Sequence, residues 1–332
     1  MSDKAETYRS IIKSHVESTL DKTNLPYPDR REGKVRDSYV LDEKRMLFVT
    51  TDRLSAFDRI LTSIPFKGRV LNLTSAWWFN ITGHIIDNHL LSIPHPNVAI
   101  VQRCTPCKVE FVVRGYMTGS TDTSLWTHYK NGERTYCGNK LPEGMKKNQK
   151  LPHAIITPTT KDEVHDRPIS PQEIVESGLM TKAQWDSASA SAMKLFEYGT
   201  REAKKRNLIL VDTKYEMGIS QDGKLMLIDE IHTPDSSRFW IADSYEQRIA
   251  SGEEPQSLDK EFIRLWFRQV CDPYHDEVLP KPPQDLIVEL SLRYIDAYER
   301  ITGKTFQFPK DGLKNLEAEI AQTVAETTAR EG

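Results

Sequence analysis

The chemistry of this chain begins with acids set where apolar strands are expected. Residues 210–230 read LVDTKYEMGISQDGKLMLIDE. Asp222-Gly223 is a two-residue turn signal, because both central positions of a type I′ turn need positive φ. With that loop, Glu216 falls directly opposite Asp229. Side chains alternate along a strand, so Asp212, Lys214 and Glu216 share one face. Opposed Cβ atoms lie roughly 4.5–5.5 Å apart, and like charges at that spacing destabilise a sheet. A cation between them reverses the sign, and two carboxylates with room for water and phosphate oxygens suit Mg²⁺. Parity puts Glu230 on the other face. A three-residue loop with a bulge would instead put Glu230, or no acid, opposite Glu216. Solvated acids on a wet face have the same spacing, so metal site and solvated hairpin both stay open at this point.

Other short stretches add anion chemistry. EGKVRDSYV joins Gly33 to Lys34 and Arg36 where a strand pair begins. Glycine lets backbone approach a ligand closely, and its neighbours bring positive charge. This is not the P-loop pattern, and a surface turn reads the same way. TTDRLSAFDR places Asp52, Arg53, Ser55 and Asp58 at a strand end, or at a helix start capped by Asp52 or Ser55. KVEFVVRGYMTGS alternates, with Lys108, Glu110 and Val112 facing one way. Its Arg114 offers a bidentate fork, and Ser120 a hydroxyl, for a carboxylate or phosphate. DEIHTPDSSRFW leaves the hairpin with Ser236, Ser237 and Arg238 in a row, an anion site next to potential metal carboxylates. His232 reads as a packing or capping residue. CTPC has redox or metal spacing, but no second pair completes a zinc set.

The elements that must position these groups can be read coarsely. Ile11, Ile12, Val16 and Leu20 lie on one side of a short N-terminal helix. Residues 33–52 read as two strands around Asp42-Glu43-Lys44. An aromatic-rich helix is expected over 72–86, and strands over VAIVQRC and CKVEFVVRG. Residues 119–170 are polar, broken by Gly and Pro, and promise few regular elements. A long helix follows over 181–207 with Thr181 as cap, then the hairpin. Ser257 looks like the cap of the next helix, and two amphipathic helices end the chain.

Composition bounds the rest. The 332 residues exceed one ordinary core. They are 38% hydrophobic and 28% charged, with a net charge of −3, which offers no global basic field for nucleic acid. No apolar run reaches membrane-spanning length. Four cysteines fit a reducing compartment. The first residues lack a secretory core, so the cytoplasm is the expected location.

GKVRD, DRLSAFD, VVRGYMTGS, LVDTKYEMG and IDEIHTPDSSRFW, in that order, resemble the SAICAR synthetase family of purine biosynthesis, in its longer fungal-type form. The likeness spans about residues 30 to 300, and the 119–170 stretch resembles the insertion of that longer form. It implies a mixed α+β and α/β fold related to ATP-grasp, with ATP between a small β-rich N-terminal domain and a larger α/β part carrying C-terminal helices. The expected division is 1–112, 113–255 and 256–332, the last packed on the central part. The resemblance implies an ATP-dependent ligase that joins L-aspartate to the carboxylate of CAIR with Mg²⁺. It implies that Gly33, Lys34, Val35, Arg36 and Glu110 serve ATP, and that Glu216 and Asp229 hold the metal. It likewise implies that Arg114, Ser120, Asp212, Ser237 and Arg238 bind CAIR, and that Lys214 and Asp58 line the reaction centre. The partners are then three small molecules, with a monomer as the working expectation. Another ATP-dependent kinase or ligase of this architecture, or a non-catalytic nucleotide-binding module, is the competing reading.

Overall fold

The chain divides into two units, each drawn from separated stretches of sequence. The computed structural model describes residues 3–57, 59–121, 123–161, 167–258, 260–309 and 316–331. Unit 1 comprises Met1–Trp77, Leu90–Arg103 and Leu258–Gly332, and unit 2 comprises Trp78–His89 and Cys104–Ser257.

The chain opens with α1 (Asp3–Lys13), β1 (Arg31–Glu32), β2 (Arg36–Val40), β3 (Arg45–Thr50), β4 (Arg53–Ala56) and β5 (Arg59–Ser63). α2 (Lys67–Thr82), β6 (Leu90–His95) and β7 (Val98–Gln102) follow. Antiparallel pairing gives a five-stranded sheet in the order β1-β2-β3-β7-β6, with β4-β5 as a separate pair. The first turn of α2 is served from outside the helix: buried Asp52 accepts the Gly68 N–H at 2.9 Å and the Leu20 N–H at 2.9 Å. That carboxylate explains why the helix begins five residues before the expected position, and Asp52 leads into strand β4 instead of capping a helix of its own.

Unit 2 is built on β8 (Cys104–Tyr116), α3 (Leu125–Lys130), β9 (Thr135–Tyr136), β10 (Asn139–Lys140), β11 (Lys150–Ile156) and β12 (Thr159–Thr160). It continues through α4 (Pro171–Glu176), α5 (Lys182–Lys204), β13 (Leu208–Ser220), β14 (Leu225–Ile228), β15 (Ser237–Ile241) and α6 (Ala242–Ala250). Its sheet runs β11-β8-β13-β14, with β12 also on β8 and β15 also on β13. α5 starts at a capping box between Thr181 and Gln184, as its sequence promises. The helix buries Trp185, Leu195 and Phe196, and Trp185 stacks on Phe111 of β8 at 5.3 Å. One face of the sheet is thereby closed. The 119–170 stretch is more ordered than its composition suggests. Met117, Leu125, Tyr129, Tyr136, Leu141, Met145, Leu151 and Ile155 form a small hydrophobic cluster of their own.

The chain ends with α7 (Glu261–Val270), α8 (Gln284–Thr302) and α9 (Leu316–Glu331). The N-cap of α7 is Lys260, three residues after the expected Ser257. The assignment of this segment to the central part needs correcting. Ile263, Phe267, Val288, Leu290, Tyr294 and Ile295 share a core with Ile12, Leu54, Phe66 and Val70, and α9 adds Leu316, Ile320 and Val324 to the core under β2, β3 and β7. Amphipathic sequence shows which face of a helix is buried, not which partner covers it.

Cys104 and Cys107 lie in β8 outside any disulfide, and burial pushes both upward in pKa. Such thiols are poor nucleophiles and poor metal ligands at neutral pH. Replacing both by Ser is expected to keep turnover within a few-fold, with no zinc in the purified protein by metal analysis. Stoichiometric zinc, lost together with activity in the double variant, is the opposite result.

His232 is fully buried, and its pKa is pushed down to about 3 by that burial. The unfolded imidazole takes a proton near 6.5, so acid favours the unfolded chain. Stability from this residue is present above about pH 6.5 and is lost as pH falls below it, by about 2 kcal/mol at pH 5. Melts between pH 7 and 5 should fall less steeply in His232→Gln than in wild type.

Candidate active site

Strand β13 alternates as expected. Thr213, Tyr215 and Met217 are buried, while Asp212, Lys214 and Glu216 remain partly accessible on the other face. Three strands bring partners to that accessible face. Asp212 lies opposite Arg114 of β8 and Arg238 of β15, Lys214 opposite Val112, and Glu216 opposite Glu110. Arg238 Nη1 donates to Asp212 Oδ2 at 2.9 Å. Arg114 is held by the Thr157 hydroxyl at 2.8 Å and by the Thr123 carbonyl at 3.2 Å. The face therefore has an arginine-rich end suited to anions and an acidic end suited to a cation. At about 3.3 Å per residue, the two ends are roughly 13 Å apart along the strand.

The acidic end corrects the hairpin geometry. The loop has three residues, Gln221 to Gly223: Ser220 N–H donates to Lys224 O at 2.9 Å, Gly223 N–H to Ser220 O at 3.0 Å, and Gly223 has φ +82°. This is a turn followed by a left-handed glycine, the usual three-residue form. It shifts the register by one, so Glu216 faces Ile228 of β14 and not Asp229. The like charge opposite Glu216 comes from the other side, from Glu110. Lys214 Nζ bridges the two carboxylates, 2.7 Å from Glu110 Oε1 and 3.0 Å from Glu216 Oε1. Lys161 forms a second ion pair with Glu216, and the Thr159 hydroxyl reaches the second oxygen of Glu110 at 3.4 Å.

Asp229 follows β14 in a left-handed conformation, φ +68°. Burial alone would lower the pKa of Lys214, but the charges of Glu216, Glu110 and Asp229 outweigh it and the net shift is upward. Lys214 is thus a fixed cation. Among the described residues, no group of three or more His, Cys, Asp or Glu side chains is placed to hold a metal unaided. Two opposed carboxylates with a third acid acting on the same ammonium fit the sparser demand of Mg²⁺, which takes one or two carboxylates and fills its shell with water and phosphate oxygens.

The hairpin of β1 and β2 forms around Gly33, whose N–H donates to Arg36 O at 2.8 Å, leaving Lys34 and Val35 as the loop. Arg53 fastens this loop through the Gly33 carbonyl at 2.8 Å and the Lys34 carbonyl at 3.4 Å. The same guanidinium binds Asp37 at 2.8 Å. Burial pushes Asp37 up, but the N–H of Thr23, Arg53 and the Thr23 hydroxyl outweigh it, and its pKa falls below the usual carboxylate value. Arg36 lies over the Phe48 ring at 5.3 Å. Lys34 sits exposed on a loop whose backbone is fixed.

The remaining expected residues fall elsewhere. Ser237 points to the buried face of the sheet, where its hydroxyl is 2.7 Å from that of Thr213. A strand cannot turn Ser237 and Arg238 to one side, so a side-chain contact from Ser237 to a ligand beside Arg238 is not what this placement offers. Ser120 lies half-buried in the loop after β8. Asp58 is outside the described residues. Sequence reasoning passed over Lys161 and Thr157, which hold Glu216 and Arg114. Neither has a signal in spacing, since each meets its partner more than 40 residues away. Arg53 was within reach, as the cation of a short polar motif.

Comparison with known proteins gives one consistent result. The profile of the SAICAR synthetase family matches residues 29–281. A Legionella pneumophila (strain Lens) protein named phosphoribosylaminoimidazole-succinocarboxamide synthase is 56% identical over 289 residues, covering 87% of this chain and 92% of its own. An Arabidopsis thaliana protein of the same name, labelled chloroplastic, is 59% identical over 297 residues, covering 88% of this chain and 72% of its own. The structure of SAICAR synthase from Saccharomyces cerevisiae complexed with SAICAR superposes with a TM-score of 0.74 at 34% identity, over 87% of this chain and 99% of that one.

Proposed function

The chain belongs to the SAICAR synthetase family, and from that premise we propose how its residues divide the work. The reaction is that of an ATP-dependent ligase of de novo purine biosynthesis. It joins L-aspartate to the carboxylate of CAIR through an acyl phosphate, giving SAICAR, ADP and phosphate. These relatives favour the ligase over a small-molecule kinase or a silent nucleotide-binding module.

A carboxylate is a poor electrophile because its leaving group would be oxide. Phosphoryl transfer converts that oxygen into phosphate, and the aspartate amine then displaces it. Phosphoryl transfer is mostly positioning and charge neutralisation. In our reading the Gly33–Arg36 loop, stiffened by Arg53, sets Lys34 against ATP phosphates. Arg114 and Arg238, with Asp212 between them, hold the anionic and polar groups of CAIR. Ser120 completes that pocket, and Ser237 serves it by holding the strand beneath Arg238. Glu216 and Asp229 would hold Mg²⁺, with Glu110 directly opposite Glu216 on β8. The ion supplies neutralisation of phosphate charge. Lys214 stays protonated among three acids, so it steadies negative charge and does not take a proton. The neutral amine needs a base, and Asp58, a phosphate oxygen and water are the candidates for it.

One observation carries the reading: a single sheet face holds an arginine-flanked aspartate at one end and a lysine-bridged glutamate pair at the other. The test is release of ADP with CAIR, with and without L-aspartate. Tight dependence on aspartate together with SAICAR formation is expected. Equal ADP release without aspartate, and no SAICAR, would make the protein a kinase. No helix among the described residues is long and apolar enough to cross a membrane. We place the enzyme in the cytoplasm, which fractionation of cells expressing the tagged chain can check.

A further inference from the structure

The buried face of β13 carries a polar pair that packing alone does not call for. Tyr215 and His232 are both fully buried, and the Tyr215 hydroxyl lies 2.5 Å from His232 Nε2. Nδ1 of the same ring has no hydrogen-bond partner among the described residues. Trp78 stands edge-on to the imidazole, 4.6 Å between centroids. On another side α5 presents Gly199, where a Cβ would collide with the His232 ring. A glycine inside a helix and an unpartnered buried nitrogen both cost free energy. Two apolar side chains would fill the same space without either cost.

The backbone adds a second observation. Asp229 has φ +68° and His232 has φ +48°. Left-handed conformations are uncommon for residues other than glycine and persist only where the surroundings over-determine them. Both lie in the four residues that leave β14. Tyr215 sits between Lys214 and Glu216 in sequence and points to the opposite face. Its hydroxyl therefore links the strand bearing those two residues to the segment bearing Asp229.

We propose that the buried Tyr215–His232 hydrogen bond is a positioning device that fixes Asp229 beside Lys214 and Glu216. Neither residue touches substrate. The inference rests on the proposed role of Asp229 in holding Mg²⁺.

The experiment uses the full chain with ADP and reads Mn²⁺ binding directly by the electron paramagnetic resonance signal of free Mn²⁺, beside CAIR KM and thermal melts. Tyr215→Phe and His232→Leu remove the bond. His232→Gln keeps a polar group where Nε2 stood. The first two should weaken Mn²⁺ binding about tenfold or more, the scale seen for partners that orient a metal ligand, with CAIR KM within about twofold. His232→Gln should bind Mn²⁺ nearly as wild type. Where Tyr215→Phe fails to fold, the comparison of the two His232 variants decides. Lower melting temperatures with unchanged Mn²⁺ binding overturn the proposal, as does equal weakening in both His232 variants. Asp229→Asn is run in parallel. Wild-type Mn²⁺ binding in that variant sinks the metal reading and this inference with it. Loss in Asp229→Asn with none in Tyr215→Phe sinks the inference alone.

Discussion

Glu216→Gln is expected to reduce turnover to background, on the order of 10²–10³-fold or more in kcat, while leaving the metal-free fold almost as stable as wild type. Two effects on stability oppose each other. Glu216 faces Glu110 directly across β13 and β8, and relief of a like-charge cross-strand pair is worth about 0.2–1 kcal/mol. The substitution also removes ion pairs with Lys214 and Lys161, the latter 40% exposed. The Lys161 pair at that exposure is worth about 0–1 kcal/mol, and Lys214, which is less exposed, keeps Glu110 as a partner at 2.7 Å, so the net change is expected to be small. Asp229→Asn should lose turnover as well, but without that cross-strand repulsion term, because the β13–β14 pairing ends at Ile228, one residue before Asp229. Thermal melts with and without Mg-ATP, beside a turnover assay, separate the outcomes. Near-normal activity would mean acids that are merely solvated. A loss of about 3–5 kcal/mol without metal would mean a structural ion pair broken in the interior.

Arg238→Lys is expected to raise the CAIR KM about tenfold or more with ATP affinity unchanged. Lysine can keep the charge and the contact to Asp212, now 2.9 Å from Arg238 Nη1. It cannot present two parallel donors to a carboxylate or phosphate. A lost charge-assisted hydrogen bond is worth about 1.5–3 kcal/mol, and about 1.4 kcal/mol is tenfold. Initial rates over a CAIR series at saturating ATP and aspartate measure the effect. Equal weakening towards both ligands would remove Arg238 from the CAIR site.

Much of the site was legible because strands have period two. The shared face of Asp212, Lys214 and Glu216 follows from alternation alone, and so does that of Lys108, Glu110 and Val112, whereas Arg114, expected in a loop, continues β8. The same rule argues against a shared role for the neighbouring side chains of Ser237 and Arg238. The hairpin register was misread because Asp-Gly serves two-residue and three-residue loops alike, and the choice between them moved Asp229 out of register. Strand pairing at long range was not legible at all. Nothing in the 105 residues between Glu110 and Glu216 says that their strands meet, and only that pairing explains Lys214 as a bridge. The cap of α2 by Asp52 was hidden for the same reason, since capping signals are sought next to a helix. Cluster formation within 119–170 was masked by its Gly, Pro and charged residues, although Leu125, Tyr129, Tyr136 and Leu141 were there to be counted.

The interleaving of the chain has a consequence for how a ribosome delivers it. Unit 1 takes its core from three stretches, the last beginning at Leu258, and Ile12 and Phe66 share that core with residues of α7 and α8. Unit 2 has all its residues once Ser257 is made. At synthesis rates of about 5–20 residues per second, the N-terminal stretch waits roughly 10–40 s for its last partners. Its apolar residues lack those partners during that interval, so a released chain truncated after Ser257 should yield unit 2 resistant to protease and residues 1–77 digested. Equal resistance of both would show that the N-terminal stretch folds without its C-terminal helices.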